Sequence, residues 1–136
     1  MNIRKYCESD RNSLTELWNS VFPNNPPYST APSVIDAKLA VDNLIFVAEY
    51  SGQIVGACMA GYDGHRGWLY AVGVSMPHRN KGIGKALVQR AMGVLTDLGC
   101  IKLNLQIRAD NSDLITFYQS LGFSTEDRTS MGKLIG

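Results

Sequence analysis

Three runs of strand-forming residues follow one another between Leu44 and Val74, separated only by two short turn signals. Leu44 to Tyr50 is rich in β-favouring residues, Ser51-Gly52 turns the chain, and Gln53 to Ala60 is a second apolar run of strand length. The segment Tyr62-Asp63-Gly64-His65-Arg66-Gly67 holds another Asp-Gly turn and leads into Trp68 to Val74. Connections this short join antiparallel neighbours, so the middle of the chain is predicted to be a meander. Beyond Pro77 the period changes. Ile83, Leu87, Val88, Ala91, Val94, Leu95 and Leu98 recur at helical spacing, and Gly99 offers a C-terminal cap. Sheet and long helix meet at Ser75 to Gly84.

The flanking segments extend this frame. Asn2 to Tyr6 predicts a short strand, and Ser9 or Asp10 an N-cap for a helix carrying Leu14, Leu17, Trp18 and Val21 on one side. Pro23 to Pro27 breaks that helix, because proline lacks an amide donor and restricts its predecessor. A second helix is predicted from Ala31 to Val41. Leu103, Leu105 and Ile107 alternate with polar residues as in a half-buried strand. Asn111 to Ser120 predicts a last helix stopped by Gly122, and Phe123 to Thr125 and Thr129 to Ile135 are candidate closing strands. The predicted fold is α/β of the α+β type: a single domain over residues 1–136, with a mixed, mostly antiparallel central sheet and about four helices.

Composition narrows the chemistry. The chain has 136 residues, enough for one core without staples, and 13 Lys and Arg stand against 12 Asp and Glu. A charge of +1 gives no broad basic face to follow a nucleic acid backbone. No apolar run approaches the length of a membrane span, and Met1 to Tyr6 lacks the pattern of a signal peptide, so a cytoplasmic location is predicted. Cys7, Cys58 and Cys100 form no CxxC pair and have no metal-ligand partner, and are read as reduced, mostly buried thiols. No metal is predicted.

The junction carries the chemistry. The first turn of a helix presents unpaired amides and the positive end of the helix dipole, which together favour phosphate oxygens. Gly82 and Gly84 keep side chains away from such a ligand, while Arg79, Lys81 and Lys85 add positive charge. A diphosphate suits this arrangement, and a helix entrance with no ligand is the competing reading. A Walker loop ending at Lys85 would need glycine where Arg79 stands and Ser or Thr where Ala86 stands. A dinucleotide fingerprint from Gly82 would need a small residue at Leu87 and a parallel βαβ unit. Neither fits.

The run Val72-Gly73-Val74-Ser75-Met76-Pro77-His78-Arg79-Asn80-Lys81-Gly82-Ile83-Gly84-Lys85-Ala86-Leu87 resembles the signature of the GNAT superfamily of N-acetyltransferases. Asn111 with Phe117-Tyr118-Gln119-Ser120-Leu121-Gly122-Phe123 resembles that family's second signature. Gly61 to Gly67 is similar to a segment of the bacterial YpeA-type acetyltransferases. The resemblance spans nearly the whole chain and implies acetyl transfer from acetyl-CoA to a primary amine of a small molecule or peptide. It implies that backbone groups of Val72, Gly73 and Val74 hold the pantetheine arm. Amides from Arg79 through Asn80, Lys81, Gly82, Ile83 and Gly84 to Lys85 would take the pyrophosphate. Asn111 would contact the cofactor arm, and Tyr118 would protonate the leaving thiolate.

In a related branch, the ribosomal-protein N-terminal acetyltransferases, a glutamate serves as base at the position matching Gln106, and an amide cannot accept that proton. Glu49, Asp63, His65 and Tyr70 are the alternative candidates, each with a structural reading beside it. The departure at Gln106 motivates a second reading of the chain, as a CoA-binding or sensing module without catalysis. The Pro23 to Pro27 loop and the second helix would flank the acceptor groove. A strand edge near the C-terminus would favour a homodimer.

Overall fold

The structure, a computed structural model, describes residues 1–136. The chain forms two compact units, Met1–Leu105 and Gln106–Gly136. In the first, one five-stranded sheet has the order β1 (Asn2–Lys5), β2 (Ile45–Tyr50), β3 (Gln53–Tyr62), β4 (Gly67–Val74), β5 (Leu103–Asn104). The first four strands pair antiparallel, and β5 joins β4 in parallel. The helices of this unit are α1 (Arg11–Val21), α2 (Ala31–Leu39) and α3 (Ile83–Asp97); the second unit holds α4 (Ser112–Ser120).

Local chemistry explains the meander. Tyr50 faces Gln53, so Ser51 and Gly52 make a two-residue hairpin loop, with φ of 51° and 77°. That pair of left-handed residues is the primed turn whose twist matches the flanking strands. In the β3–β4 connection, Asp63 Oδ1 accepts from the His65 amide at 2.7 Å and the Arg66 amide at 2.8 Å. These bonds hold its carboxyl below the usual range, with the Arg66 bond the larger cause.

Helices cover both faces of the sheet. Leu14, Leu17 and Trp18 of α1 and Ala31 and Ile35 of α2 bury against Ile45, Val47 and Ala57. The alternate residues Phe46 and Cys58 are also fully buried, and α3 packs on β3, β4 and β2. A Cβ on Gly56 would stand 3.1 Å from both Ile83 Cγ2 and Leu87 Cδ1, so a bare backbone there lets α3 approach closely. Burial pushes the Cys58 thiol up to about 12, which makes it inert. The thiols are less uniformly buried than the sequence suggested, since Cys7 is exposed and Cys100 half-buried.

The second unit departs from expectation. Gly122, with φ of 94°, ends α4 as predicted, but residues 124–136 are exposed and contain no strand. The alternation from Leu103 to Ile107 yields pairing only at Leu103–Asn104. Two-fold alternation needs a partner strand to become a strand, and the C-terminal runs have none. The strand edge that favoured a dimer is therefore absent.

An ion-pair cluster ties β1, α1 and β2. Asp10, 6% exposed, accepts from Arg4 Nη1 at 2.8 Å and Nη2 at 2.9 Å and from the Cys7 amide at 2.9 Å; Arg4 Nη2 also reaches Glu49 Oε2 at 3.3 Å. The Arg4 guanidinium holds the Asp10 carboxyl at about 2 against a usual 3.8. That stabilisation is complete above the unfolded value and is lost as pH falls through the folded one. Urea titrations should therefore show Asp10→Asn costing about 2 kcal/mol at neutral pH, with the gap to the parent closing between about pH 4 and pH 2.

Candidate functional site

The site is built on β4. Ala57 pairs with Gly73 and Met59 with Tyr70, so Ala71 and Val72 together oppose Cys58 and form a β-bulge. Ala71 sits at φ of 51°, a left-handed conformation that costs an alanine roughly 1–2 kcal/mol. Trp18 of α1 secures it by donating its indole Nε1–H to the Ala71 carbonyl at 3.1 Å. Opposite this, β5 pairs only with Gly67 and Trp68, so the β4 edge from Leu69 onward has no neighbouring strand in the sheet.

Which backbone groups face that edge follows from the pleat. The Ser75 amide donates to Val55 O of β3 at 2.8 Å, so by two-residue alternation Gly73 also turns toward β3 and Val74 turns outward. Arg79 agrees with that direction: its Nε donates to Val74 O at 3.0 Å. Val74 thus offers its amide to the open edge while its carbonyl is capped. Gly73 lies under α1, where a Cβ would stand 2.9 Å from Val21 Cγ1 and 3.3 Å from Phe22 Cε2.

The chain then enters α3 through a short 3-10 turn at Met76–His78. Ser75 Oγ and His78 Nδ1 are 2.9 Å apart, and the His78 ring packs on Tyr50 at 5.6 Å between centroids. Asn80 and Gly82 adopt φ of 63° and 80°, and Gly82 is the N-cap of α3. The Arg79 amide is spent on Met76 O, and the Ala86 amide donates to Gly82 O, while the amides of Gly82, Ile83, Gly84 and Lys85 have no partner in the protein. Left-handed residues followed by free first-turn amides make a concave anion cradle at the positive end of a 15-residue helix. Lys81 and Lys85 are exposed beside it.

In the second unit Asn111 caps α4, its Oδ1 accepting from the Leu114 amide at 3.1 Å. Capping explains the asparagine on its own, and it leaves Nδ2 to meet a ligand. Tyr118 is 5% exposed, its ring edge-on to Phe117 and Phe123 at 5.0 and 5.5 Å.

Residues 11–123 match the family described as the acetyltransferase (GNAT) family. An acetyltransferase of Yersinia enterocolitica is 40% identical over 134 residues, covering 98% of this chain and 94% of its own length. The chain belongs to the GNAT family of acetyltransferases. An acetyltransferase of Pectobacterium atrosepticum is 38% identical with the same coverage. The GNAT fold is also seen in AAC(6')-Iy, solved with the bisubstrate analogue CoA-S-monomethyl-acetylneamine; it superposes with a TM-score of 0.84 at 20% identity, covering 99% of this chain and 98% of that one. The ribosomal-protein-S18-alanine N-acetyltransferase of Escherichia coli superposes at 0.77 with 21% identity, over 90% of this chain and 77% of that one.

Within this GNAT chain the base candidates sort by environment. Glu49 shares Arg4 with Asp10. Asp63 is held low by the turn amides, and Tyr70 is pushed up by burial and then by the Asp63 charge, so neither is tuned to accept a proton near neutral pH. His65 is exposed in the same turn, and exposed Gln106 donates Nε2–H to Ser130 Oγ at 2.6 Å. No helix is long and apolar enough to cross a membrane.

Sequence reasoning missed the braces. Trp18 reads as one more apolar residue of the α1 stripe, and only the bulge shows that its indole holds Ala71. His78 and Ser75 lie inside the signature run, yet their pairing with each other has no sequence signal. The cradle can be tested apart from any ligand. A Cβ on Gly82 meets nothing within 4 Å, so Gly82→Ala should cost only the left-handed strain of about 1 kcal/mol in urea unfolding, whereas Gly73→Ala, which crowds Val21, should cost about 1–3 kcal/mol.

Proposed function

We propose that the chain transfers the acetyl group of acetyl-CoA to a primary amine of a small molecule or peptide by direct attack on the thioester. The observation that carries this reading is the row of unpaired amides from Gly82 to Lys85, set at the helix N-terminus directly after the open edge of β4. Four donors and the helix dipole fit the two phosphates of a pyrophosphate, with Lys81 and Lys85 as outer charges. The guanidinium of Arg79, held through Nε, keeps its other nitrogens for the same anion. The outward Val74 amide suits the pantetheine arm or the thioester oxygen. All 136 residues are read as one catalytic domain, with Asn111 Nδ2 donating to the cofactor arm.

The chemistry follows. The amine lone pair attacks the thioester carbon, a C–N bond forms, and the carbonyl electrons move to oxygen, where a backbone amide stabilises them. The C–S bond then breaks, and Tyr118 supplies the proton that the thiolate takes. The nitrogen sheds its extra proton to water, and the Tyr118 phenolate regains one from water. A phenol can hand its proton to a departing thiolate held against it. With an amide at Gln106, and with Asp63 held low and Tyr70 pushed up, the acceptor enters neutral on this reading.

Two measurements test this. Tyr118→Phe should lower kcat for thiol release by about 10²–10⁴-fold while acetyl-CoA affinity by calorimetry holds. In the parent, log kcat/KM should rise with unit slope up to the pKa of the acceptor and shift when the acceptor is exchanged for one of different pKa; a plateau fixed near pH 6 to 7 for every amine would reveal a protein base instead. The second reading, a CoA-binding module, draws on Gln106 and gains if acetyl-CoA binds but no amine across a broad panel releases thiol.

A further inference from the structure

On the α1/α2 face of the sheet, the helices stop short of one patch. Met59 and Ala71 belong to the core under α1 and α2, but Tyr70, the cross-strand partner of Met59, is 46% exposed. Its ring stacks with Trp68, two residues earlier on the same face, at 6.5 Å between centroids and 19° between planes. Opposite Trp68 stands Gly61, with no side chain to cover the rings; Tyr70 Cε2 lies 3.9 Å from where its Cβ would be. Lys38 Nζ borders the patch and is neutralised by Asp42 at 2.8 Å. Asp63 in the adjoining turn is the charge that acts on the Tyr70 hydroxyl. Val72 and Val74 lie two and four residues beyond Tyr70 on the same strand, across the bulge, at most about 7 and 13 Å away.

Resting on the acetyl-transfer reading of the same site, we infer that the Trp68–Tyr70 pair is the acceptor platform, and that it selects amines carrying a second cationic group beyond the one acetylated. Aromatic faces attract ammonium groups, and the Asp63 carboxylate adds a fixed negative charge at the same end. The strand distance sets the reach: an acceptor whose nitrogens stand about 7–13 Å apart places one at the β4 edge while the other lies over the rings. On this assignment Tyr70 and Asp63 bind the acceptor and take no proton from it.

The test compares a long linear α,ω-diamine, hexamethylenediamine, with hexylamine. The parent should favour the diamine by about 2- to 30-fold in kcat/KM, the range a cation over an aromatic face supplies. Tyr70→Ala and Asp63→Asn should each bring that ratio toward one, and Tyr70→Phe should keep it. Asn at position 63 retains the oxygen that the turn amides need, so this variant stays informative if Tyr70→Ala fails to fold. Acetyl-CoA affinity by calorimetry should be the same in all folded variants. A parent ratio near one, or a ratio that Asp63→Asn leaves untouched, overturns the platform while acetyl transfer to amines stands. Tight acetyl-CoA binding with no thiol release from any amine overturns the enzyme reading, and the platform with it.

Discussion

Strand β4 is bonded to β3 from Gly67 to Val74 but to β5 only at its first two residues, and the site follows from that asymmetry. A strand that keeps one edge bare inside a sheet exposes amides and carbonyls that demand partners. The chain answers for the carbonyl at Val74 with Arg79 and leaves the amide open. The bulge at Ala71–Val72 marks where regular pairing is interrupted, and it bends the strand just before it reaches the helix. The Trp18 indole fixes that distortion from one side of the sheet while α3 packs on the other.

Conformational cost concentrates at the same place. Ala71 and Asn80 are both left-handed without being glycine, and Gly82 adds a third such residue within the strand-to-helix passage. Positions like these persist only where surrounding structure over-determines them, and here the determinants are visible: Trp18 for Ala71, and Arg79, Ser75, His78 and Tyr50 around the loop. The four amides of Gly82 to Lys85 then point outward in a fixed array before any ligand arrives. Preorganised donors of this kind bind an anion without spending energy on ordering the loop.

The parts of this structure legible in the sequence were those dictated by local chemistry. Ser51-Gly52 and Asp63-Gly64 demanded turns, and the stripe from Ile83 to Leu98 one buried helix face, from which Leu98 departs by standing exposed. The glycines at the junction announced a helix entrance, and the family signature supplied its ligand. What the sequence concealed depended on pairing between distant segments. Leu103 to Ile107 alternates over its full length but finds a partner strand at only two residues. Thr129 to Ile135 has strand composition and no partner strand. Asn111 carried two meanings at once, a signature position and a helix cap, and only geometry shows the cap using Oδ1 and sparing Nδ2.

Electrostatics separates the two halves of the reaction. At the cradle the chain sets backbone amides, a helix dipole and three basic side chains, all of which suit an anion. Outside the cradle, several polar groups are already engaged. Asp10 and Glu49 share Arg4, Asp63 closes a turn, and Gln106 has no proton affinity to offer. On the proposed reaction, in which the acceptor enters neutral, amines with an appreciable neutral fraction at working pH are favoured.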